Sequence, residues 1–339
     1  ILDEPTSSLD DHEVQRLFAV MRDLRAQGLG IIFITHFLDQ VFEISDSITV
    51  LRNGRLVGAF AIGEITKLDL VSRMIGKDIN EIFNLKRAQQ PPDAPVTLEA
   101  DHMGLPGKVE DISLSARRGE LLGFAGLLGS GRTETAEMLF GVTRPSQGTM
   151  KLGGQSVRFK EPLDAINRKM AFCPEDRKKD GIIGDLSVRE NICLAVQAKR
   201  GFLKPMSRRE QNALADKYIK MLSIATPDAE KRVGELSGGN QQKVILARWM
   251  ATNPDVLILD EPTRGIDVGA KAEVQRLMLE MCGEGMTVLF ISSELDEIIR
   301  CSNRVLVMRE GEKAAELPGE GCTQADIMGI IAGEAGESA

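Results

Sequence analysis

One hexapeptide occurs twice. Ile1-Leu2-Asp3-Glu4-Pro5-Thr6 returns as Ile258-Leu259-Asp260-Glu261-Pro262-Thr263, an offset of 258 − 1 = 257. The offset holds without a gap: Asp10 maps onto Asp267, Phe33-Ile34 onto Phe290-Ile291, Leu38-Asp39 onto Leu295-Asp296, Arg52 onto Arg309 and Gly54 onto Gly311. Helical spacing obeys it too. Leu17, Val20, Met21 and Leu24 define one face, and their images are Val274, Leu277, Met278 and Met281. Register kept this long marks a duplication, so the chain is expected to hold two related units. The second copy opens near Val96 and reaches Ile258 after 258 − 96 = 162 residues. The first stands at the equivalent point at residue 1, so the expectation is a first copy lacking roughly 160 residues of its front.

The expected domains are residues 1–85, a linker over 86–95, a second copy over 96–333 and a tail at 334–339. The linker, KRAQQPPDAP, is polar with three prolines and reads as extended chain. Strand-like runs at Gly30–Thr35, Glu120–Ala125, Val256–Asp260 and Thr287–Ser292 alternate with amphipathic helices, which predicts an α/β fold. Asn53-Gly54 reads as a hairpin turn, with Glu310-Gly311 as its image. A helical subdomain is expected over about 187–235. Ser187 and Glu190 form a capping box there, and Leu214, Tyr218, Met221 and Leu222 share one face. The five cysteines form no CxxC pair and read as scattered buried thiols.

The expected strand Glu120–Ala125 runs into Gly126-Leu127-Leu128-Gly129-Ser130-Gly131-Arg132-Thr133, followed by a helix ending at Gly141. Glycines let backbone N–H groups converge on phosphate oxygens, and the following helix N-terminus adds partial positive charge. Thr133 supplies a hydroxyl suited to Mg²⁺, while Arg132 stands where a phosphate loop normally has lysine. Val256–Glu261 is an apolar strand ending in two carboxylates. The first can hold Mg²⁺ and the second can polarise an attacking water. Asp3 and Glu4 repeat the pair.

Leu236-Ser237-Gly238-Gly239-Asn240-Gln241-Gln242 lies 258 − 236 = 22 residues before Ile258. With the phosphate loop and the carboxylate strand, it resembles the signature of ABC-transporter ATPases, P-loop NTPases with a helical subdomain. More narrowly, the chain resembles the tandem ATP-binding subunits of bacterial monosaccharide importers of the ribose, xylose, arabinose and galactose type. Gly131–Glu134, Glu175–Gly181, LSGGNQQK and Asp260–Lys271 carry that likeness.

The resemblance implies ATP and Mg²⁺ as cofactors. It implies nucleotide contacts at Gly126, Gly129, Ser130, Gly131, Arg132, Thr133, Glu134, Glu175, Ser237, Gly238, Gly239 and Asn240, and at Asp10, Asp267 and Ser293. Metal contacts fall on Thr133, Asp260 and Asp3, and catalytic roles on Glu4, His36 and Glu261. It also implies ABC domains paired within or between chains, with ATP between one phosphate loop and the opposite signature. Partners would be membrane permease subunits and, indirectly, a periplasmic or extracellular solute-binding protein. The place implied is the cytoplasmic face of the cell membrane, held peripherally, since no apolar run approaches 18 residues.

Several positions depart from the family pattern. The image of His36 is Ser293, the expected glutamine is Glu175, and no aromatic residue between Val96 and Ile112 offers an adenine stack. Loss of one transition-state stabiliser typically costs ~10²–10³ in rate, so the second-copy site is expected to be slow or silent. The remaining alternatives are a nucleotide-binding module without hydrolysis and a soluble tandem ATPase acting on ribosomes or DNA. Forty-two basic against fifty acidic residues, a net charge of −8, disfavour nucleic acid. His12, His102 and Trp249 are expected to be solvated or to pack without a ligand role.

Overall fold

The computed structural model describes residues 1–6, 9, 11–35, 37–52, 54–75, 87, 93–201 and 203–333. The chain divides into two units, Ile1–Asn84 with Asp267–Ala272, and Leu85–Ile266 with Glu273–Ala339.

In the first copy, the strands are β1 (Leu2–Asp3), β2 (Phe33–Ile34), β3 (Ser47–Arg52) and β4 (Arg55–Ala61), and the helices are α1 (Asp11–Ala26), α2 (Leu38–Ile44) and α3 (Lys67–Ile75). The second copy opens with β5 (Val96–Leu105), β6 (Val109–Arg117), β7 (Leu121–Ala125) and α4 (Arg132–Phe140). Then come β8 (Gln147–Leu152), β9 (Gln155–Val157), α5 (Pro162–Asn167) and β10 (Met170–Cys173). The helical region holds α6 (Val188–Arg200) and α7 (Arg208–Met221), and α8 (Gly238–Met250) leads to β11 (Val256–Asp260). The remainder is α9 (Val268–Gly283), β12 (Thr287–Ile291), α10 (Leu295–Cys301), β13 (Arg304–Arg309), β14 (Glu312–Pro318) and α11 (Gln324–Ala332).

The 257-residue offset survives into the backbone. Shifted by it, α1, α2 and α3 coincide end for end with α9, α10 and α11. Leu2 pairs with Phe33 as Leu259 pairs with Phe290. The β3–β4 hairpin repeats the register of β13–β14, down to an irregularity after Val50 and after Val307. Side chains follow suit. Thr6 donates to Gln40 Oε1 at 2.7 Å, and Thr263 donates to Glu297 Oε2 at 2.6 Å. Glu310 and Gly311 both have positive φ, at 52° and 83°, as a two-residue hairpin turn requires. Gly54 has φ 72°, while Asn53 lies outside the described residues.

The second unit is built on one ten-stranded sheet in the order β10-β11-β12-β7-β13-β14-β6-β5-β8-β9. Its first five strands are parallel and near-continuously apolar, as strands covered on both faces must be. Leu122, Phe124, Ile258, Leu289 and Leu306 sit at the centre of the core. Trp249 packs on it, edge-on to Phe140 with centroids 5.8 Å apart. Cys173, Cys193, Cys282 and Cys301 are buried free thiols, and Cys322 is half-buried. Among the described residues, no helix is long and apolar enough to cross a membrane.

Several sequence expectations need correction. Met221 and Val20 are exposed, at 49% and 54%, so the buried face of α7 is Ala215 and Tyr218, continued by Leu222, and that of α1 is Val14, Phe18 and Met21. The expected strand Gly30–Thr35 shrinks to the two residues of β2, because among the described residues β1 alone bonds to it. Most of the linker lies outside the described residues, but its two described parts are bonded. Arg87 donates to the carbonyls of Ile299 and Arg300, and the carbonyls of Ala94 and Pro95 accept from Arg117 Nη1 and the Arg118 amide. The tail, 334–339, lies outside the described residues.

Candidate functional site

Strand β7 is buried at all five positions between β12 and β13, so its C-terminal end is fixed from both sides. The chain then turns sharply. A Cβ at Gly126 would lie 2.6 Å from the Met308 carbonyl oxygen of β13, which leaves room only for glycine. Gly131 caps α4 in the left-handed region at φ 93°, and Gly141 ends the helix at φ 80°.

Gly129, Ser130, Gly131, Arg132, Thr133 and Glu134 line one small cavity of about 40 Å³ together with Glu175 and Glu261. The expected loop and two of the expected acidic residues, Glu175 and Glu261, therefore meet at the C-terminal edge of the parallel strands, where open α/β sheets present ligand crevices. Arg132 is buried, and its Nη1 donates to the Ser292 carbonyl at 2.8 Å. One corner of the guanidinium is thus committed to the end of β12 rather than free to follow a phosphate. Ser130 Oγ is buried with no partner.

Asp260 is fully buried, and neither carboxylate oxygen has a hydrogen-bond partner of good geometry. Burial pushes its pKa up to about 7, with Glu175 and Glu261 adding to the rise and the Thr133 hydroxyl and Arg132 opposing it. A buried, unpartnered carboxylate facing a hydroxyl fits a hard cation that completes its shell with phosphate oxygens and water. Thr133 and Asp260 would hold Mg²⁺ on that basis. No group of three or more His, Cys, Asp or Glu among the described residues forms a metal site on its own.

Without metal, the folded state keeps a proton on Asp260 that the unfolded chain has released above the ordinary carboxyl value of 3.8. Stability therefore falls as pH rises from about 4 to 7. Asp260→Asn removes that slope. In divalent-free denaturant titrations, the variant should gain roughly 2.5 kcal/mol on the parent between pH 5 and pH 7.5. An unchanged gap would refute the buried-carboxylate account.

Glu261 and Glu4 both take left-handed backbone conformations, at φ 47° and 45°. For glutamate this is uncommon and costs of order 1–3 kcal/mol, a strain that clusters at functional positions. Each is anchored alike: the Glu261 amide donates to Ile291 at 3.0 Å, and the Glu4 amide donates to Ile34 at 2.8 Å. Ser293 Oγ donates to Glu261 Oε2 at 3.1 Å, so the residue replacing the switch histidine does meet the carboxylate. Asp3 and Glu4 end β1 in the first unit, where both are exposed. His36 and Asp10 lie outside the described residues. Asp267 is exposed, and its carboxylate accepts from the Ala270 amide at the start of α9.

The signature helix α8 begins at Gly238 with exposed Ser237 at the N-cap. Gly238 is half-buried and Gly239 buried. Asn240 holds Ser237 Oγ with its amide nitrogen (2.9 Å) and accepts from the Ala225 amide (2.8 Å). Gln241 Nε2 donates to the carbonyls of Val233, Gly234 and Leu236 at 3.1–3.3 Å. Lys243, nearly buried, pairs with Glu273 at 2.5 Å. These polar residues shape the turn that presents Ser237–Gly239. Sequence patterning missed Gln241, Lys243 and the buried Arg248, because their partners are remote in the chain. The one available signal was the run of four polar residues, Asn240 to Lys243, directly before the apolar Val244-Ile245-Leu246-Ala247. Glu175 is ion-paired with Arg264. His12 is exposed, and so is His102, whose ring bonds Asp111 at 2.8 Å.

Parallel sheet, phosphate loop, buried metal-type carboxylate and signature helix together define an ATP-binding cassette. A family described as ABC transporter matches residues 109–264. The chain is 49% identical over 334 residues to the galactofuranose transporter ATP-binding protein YtfR of Escherichia coli, covering 98% of this chain and 66% of the relative. It is 45% identical to the fructose import ATP-binding protein FruK of Bifidobacterium longum, with the same coverage of 98% and 66%. It thus spans 66% of the length of these relatives. Among solved structures, a nucleotide-free ATP-binding cassette from an ABC transporter superposes with TM-score 0.58 at 21% identity, covering 70% of this chain and 95% of that one. A dimeric cassette bound to ADP and Pi superposes with TM-score 0.58 at 22% identity, covering 66% and 100%; both likenesses speak to fold alone. The chain belongs to the ABC transporter ATP-binding family.

Proposed function

We propose that the protein containing this chain is the ATP-binding, energy-coupling subunit of a bacterial ABC importer for a monosaccharide or a similar small polar solute. The observation that supports this most is the gathering of Gly129–Glu134, Glu175 and Glu261 around one cavity beside Asp260, with the signature turn on the same unit. Sugar-import names among relatives at 44–49% identity support the solute class. The subunit would bind ATP and Mg²⁺ and sit at the cytoplasmic face of the membrane against permease subunits, with a solute-binding protein acting from the other side. ATP closure and hydrolysis would switch the permease between inward and outward states.

In the intact protein, the productive site would join Asp3, Glu4 and His36 of the first copy to Ser237 and Gly239 of the second. The second-copy site would bind nucleotide at Gly126–Glu134 and turn it over slowly in the intact protein and not at all in the isolated second copy. Arg132 committed to the Ser292 carbonyl and a serine at the switch position favour that reading. They also favour the second reading for this chain alone, a module that binds nucleotide without hydrolysis.

Reconstituting the full-length protein with its permease in proteoliposomes tests both. ATPase stimulated by solute-loaded binding protein is the expected result; turnover indifferent to permease and solute would overturn the importer. For residues 96–339 alone, nucleotide binding without turnover is expected, and measurable ATPase would overturn the silent site.

A further inference from the structure

We infer that Arg177 is a positioning residue that ties the Glu175 loop to the signature turn. The inference rests on the reading above, that Ser237–Gly239 meet a nucleotide. Arg177–Gly181 form a single π-turn, capped by the Asp176 carboxylate, which accepts from the amides of Lys178 and Lys179 at 3.0 Å each. The half-buried Arg177 guanidinium reaches three places at once. Nε donates to Gln241 Oε1 and Nη1 to the Arg264 carbonyl, both at 3.3 Å, and Nη2 stands 3.0 Å from where a Cβ on Gly238 would lie. Gln241 carries the connection onward, since its Nε2 holds the carbonyls that lead into Ser237.

The far end of the π-turn is fastened to the same helix. Buried Arg248, near the end of α8, donates to the Gly181 carbonyl at 2.6 Å and to Asn191 O and Oδ1 at 2.8 Å each. Gly181 packs so closely on α8 that a Cβ there would lie 2.8 Å from Ile245 Cδ1. A five-residue turn bonded to one helix at both ends cannot shift without carrying that helix. Glu175, two residues before Arg177, lines the phosphate cavity. Displacement at the cavity is therefore transmitted to Gly238, while the exposed Lys178, Lys179 and Asp180 stay free of the clamp. Lysine cannot replace Arg177, because only a planar fork addresses three directions at once.

The test is made on the full-length protein with its permease. Arg177→Ala should raise KM for ATP about tenfold, a coupling of ordinary size for a shared network. It should leave ADP affinity within twofold, since ADP lacks the γ-phosphate that the signature would meet. Arg177→Lys should not restore KM, and Arg177→Ala combined with Gln241→Ala should be no worse than Gln241→Ala alone, since that change already removes the partner of Arg177. Equal changes for ATP and ADP, no change in KM, rescue by lysine or additive losses would each overturn the assignment. If Arg177→Ala lowers the melting temperature enough to obscure this, Gln241→Met removes both the acceptor for Arg177 and the amide that holds the three carbonyls, and must show the same ATP-against-ADP split. Ser237→Ala separates the two layers. If it leaves KM for ATP untouched, the nucleotide-facing signature fails; if it raises KM while Arg177→Ala is silent, only the positioning role fails.

Discussion

In the full-length protein, Glu4→Gln should lower steady-state ATP turnover by roughly 10²–10⁴-fold, the usual contribution of a positioned general base. ATP binding should persist, and Glu261→Gln should change turnover less than twofold. Both glutamates end a short parallel pairing, take the same left-handed backbone and donate an amide to the neighbouring strand. The backbone therefore does not distinguish them; their neighbours do. Ser293 Oγ donates to the Glu261 carboxylate at 3.1 Å and so occupies one of the oxygens that would take a proton from water. At the sequence position that the 257-residue offset pairs with Ser293, the first copy has His36, a residue type that can both accept and donate a proton near neutral pH. ATPase assays on the two variants with permease present decide the matter. A larger loss from Glu261→Gln than from Glu4→Gln would move the productive site to the other copy.

The features legible in sequence were those set by local chemistry or by the repeat. The capping box of Ser187 and Glu190 forms as its residues require. Gly141 ends α4 where its freedom at positive φ allows. In the signature helix Ser237 serves as N-cap, and the two glycines after it form the first residues of the helix. Features set by distant partners were not legible. Gln241 and Arg248 each work across more than sixty residues of chain, to Arg177 and Gly181, and helical periodicity has no term for such pairs. Met221 follows the apolar spacing of α7 yet faces outward, since burial depends on what lies opposite.

Strand length is the sharpest case, and it carries the second large prediction. The same pattern yields five residues at β12, which lies between β11 and β7, and two at β2, which among the described residues pairs with β1 alone. In the second unit, β7 pairs in parallel with both β12 and β13. Among the described residues of the first unit, no strand lies between β2 and β3; a cavity of about 780 Å³ lies there, lined by Phe33, Ile34, Ile48 and Val50. Backbone amides on these edges should exchange with solvent at least ~10³-fold faster than those of Val288–Ile291 and Val305–Val307, since local opening there breaks far fewer bonds.

A form of the protein extended upstream to the length of its relatives should recover that protection. The strand that fills the slot is constrained by its counterpart. At Gly123 a Cβ would lie 2.2 Å from Ser302 Oγ and 2.9 Å from Ile298 Cγ2, and the images of those residues, Ser45 and Val41, both line the first-unit cavity. The central residue of the filling strand should therefore be glycine, and placing valine there should abolish the recovered protection. Equal exchange in the two copies of this chain would mean that β2 and β3 need no strand between them.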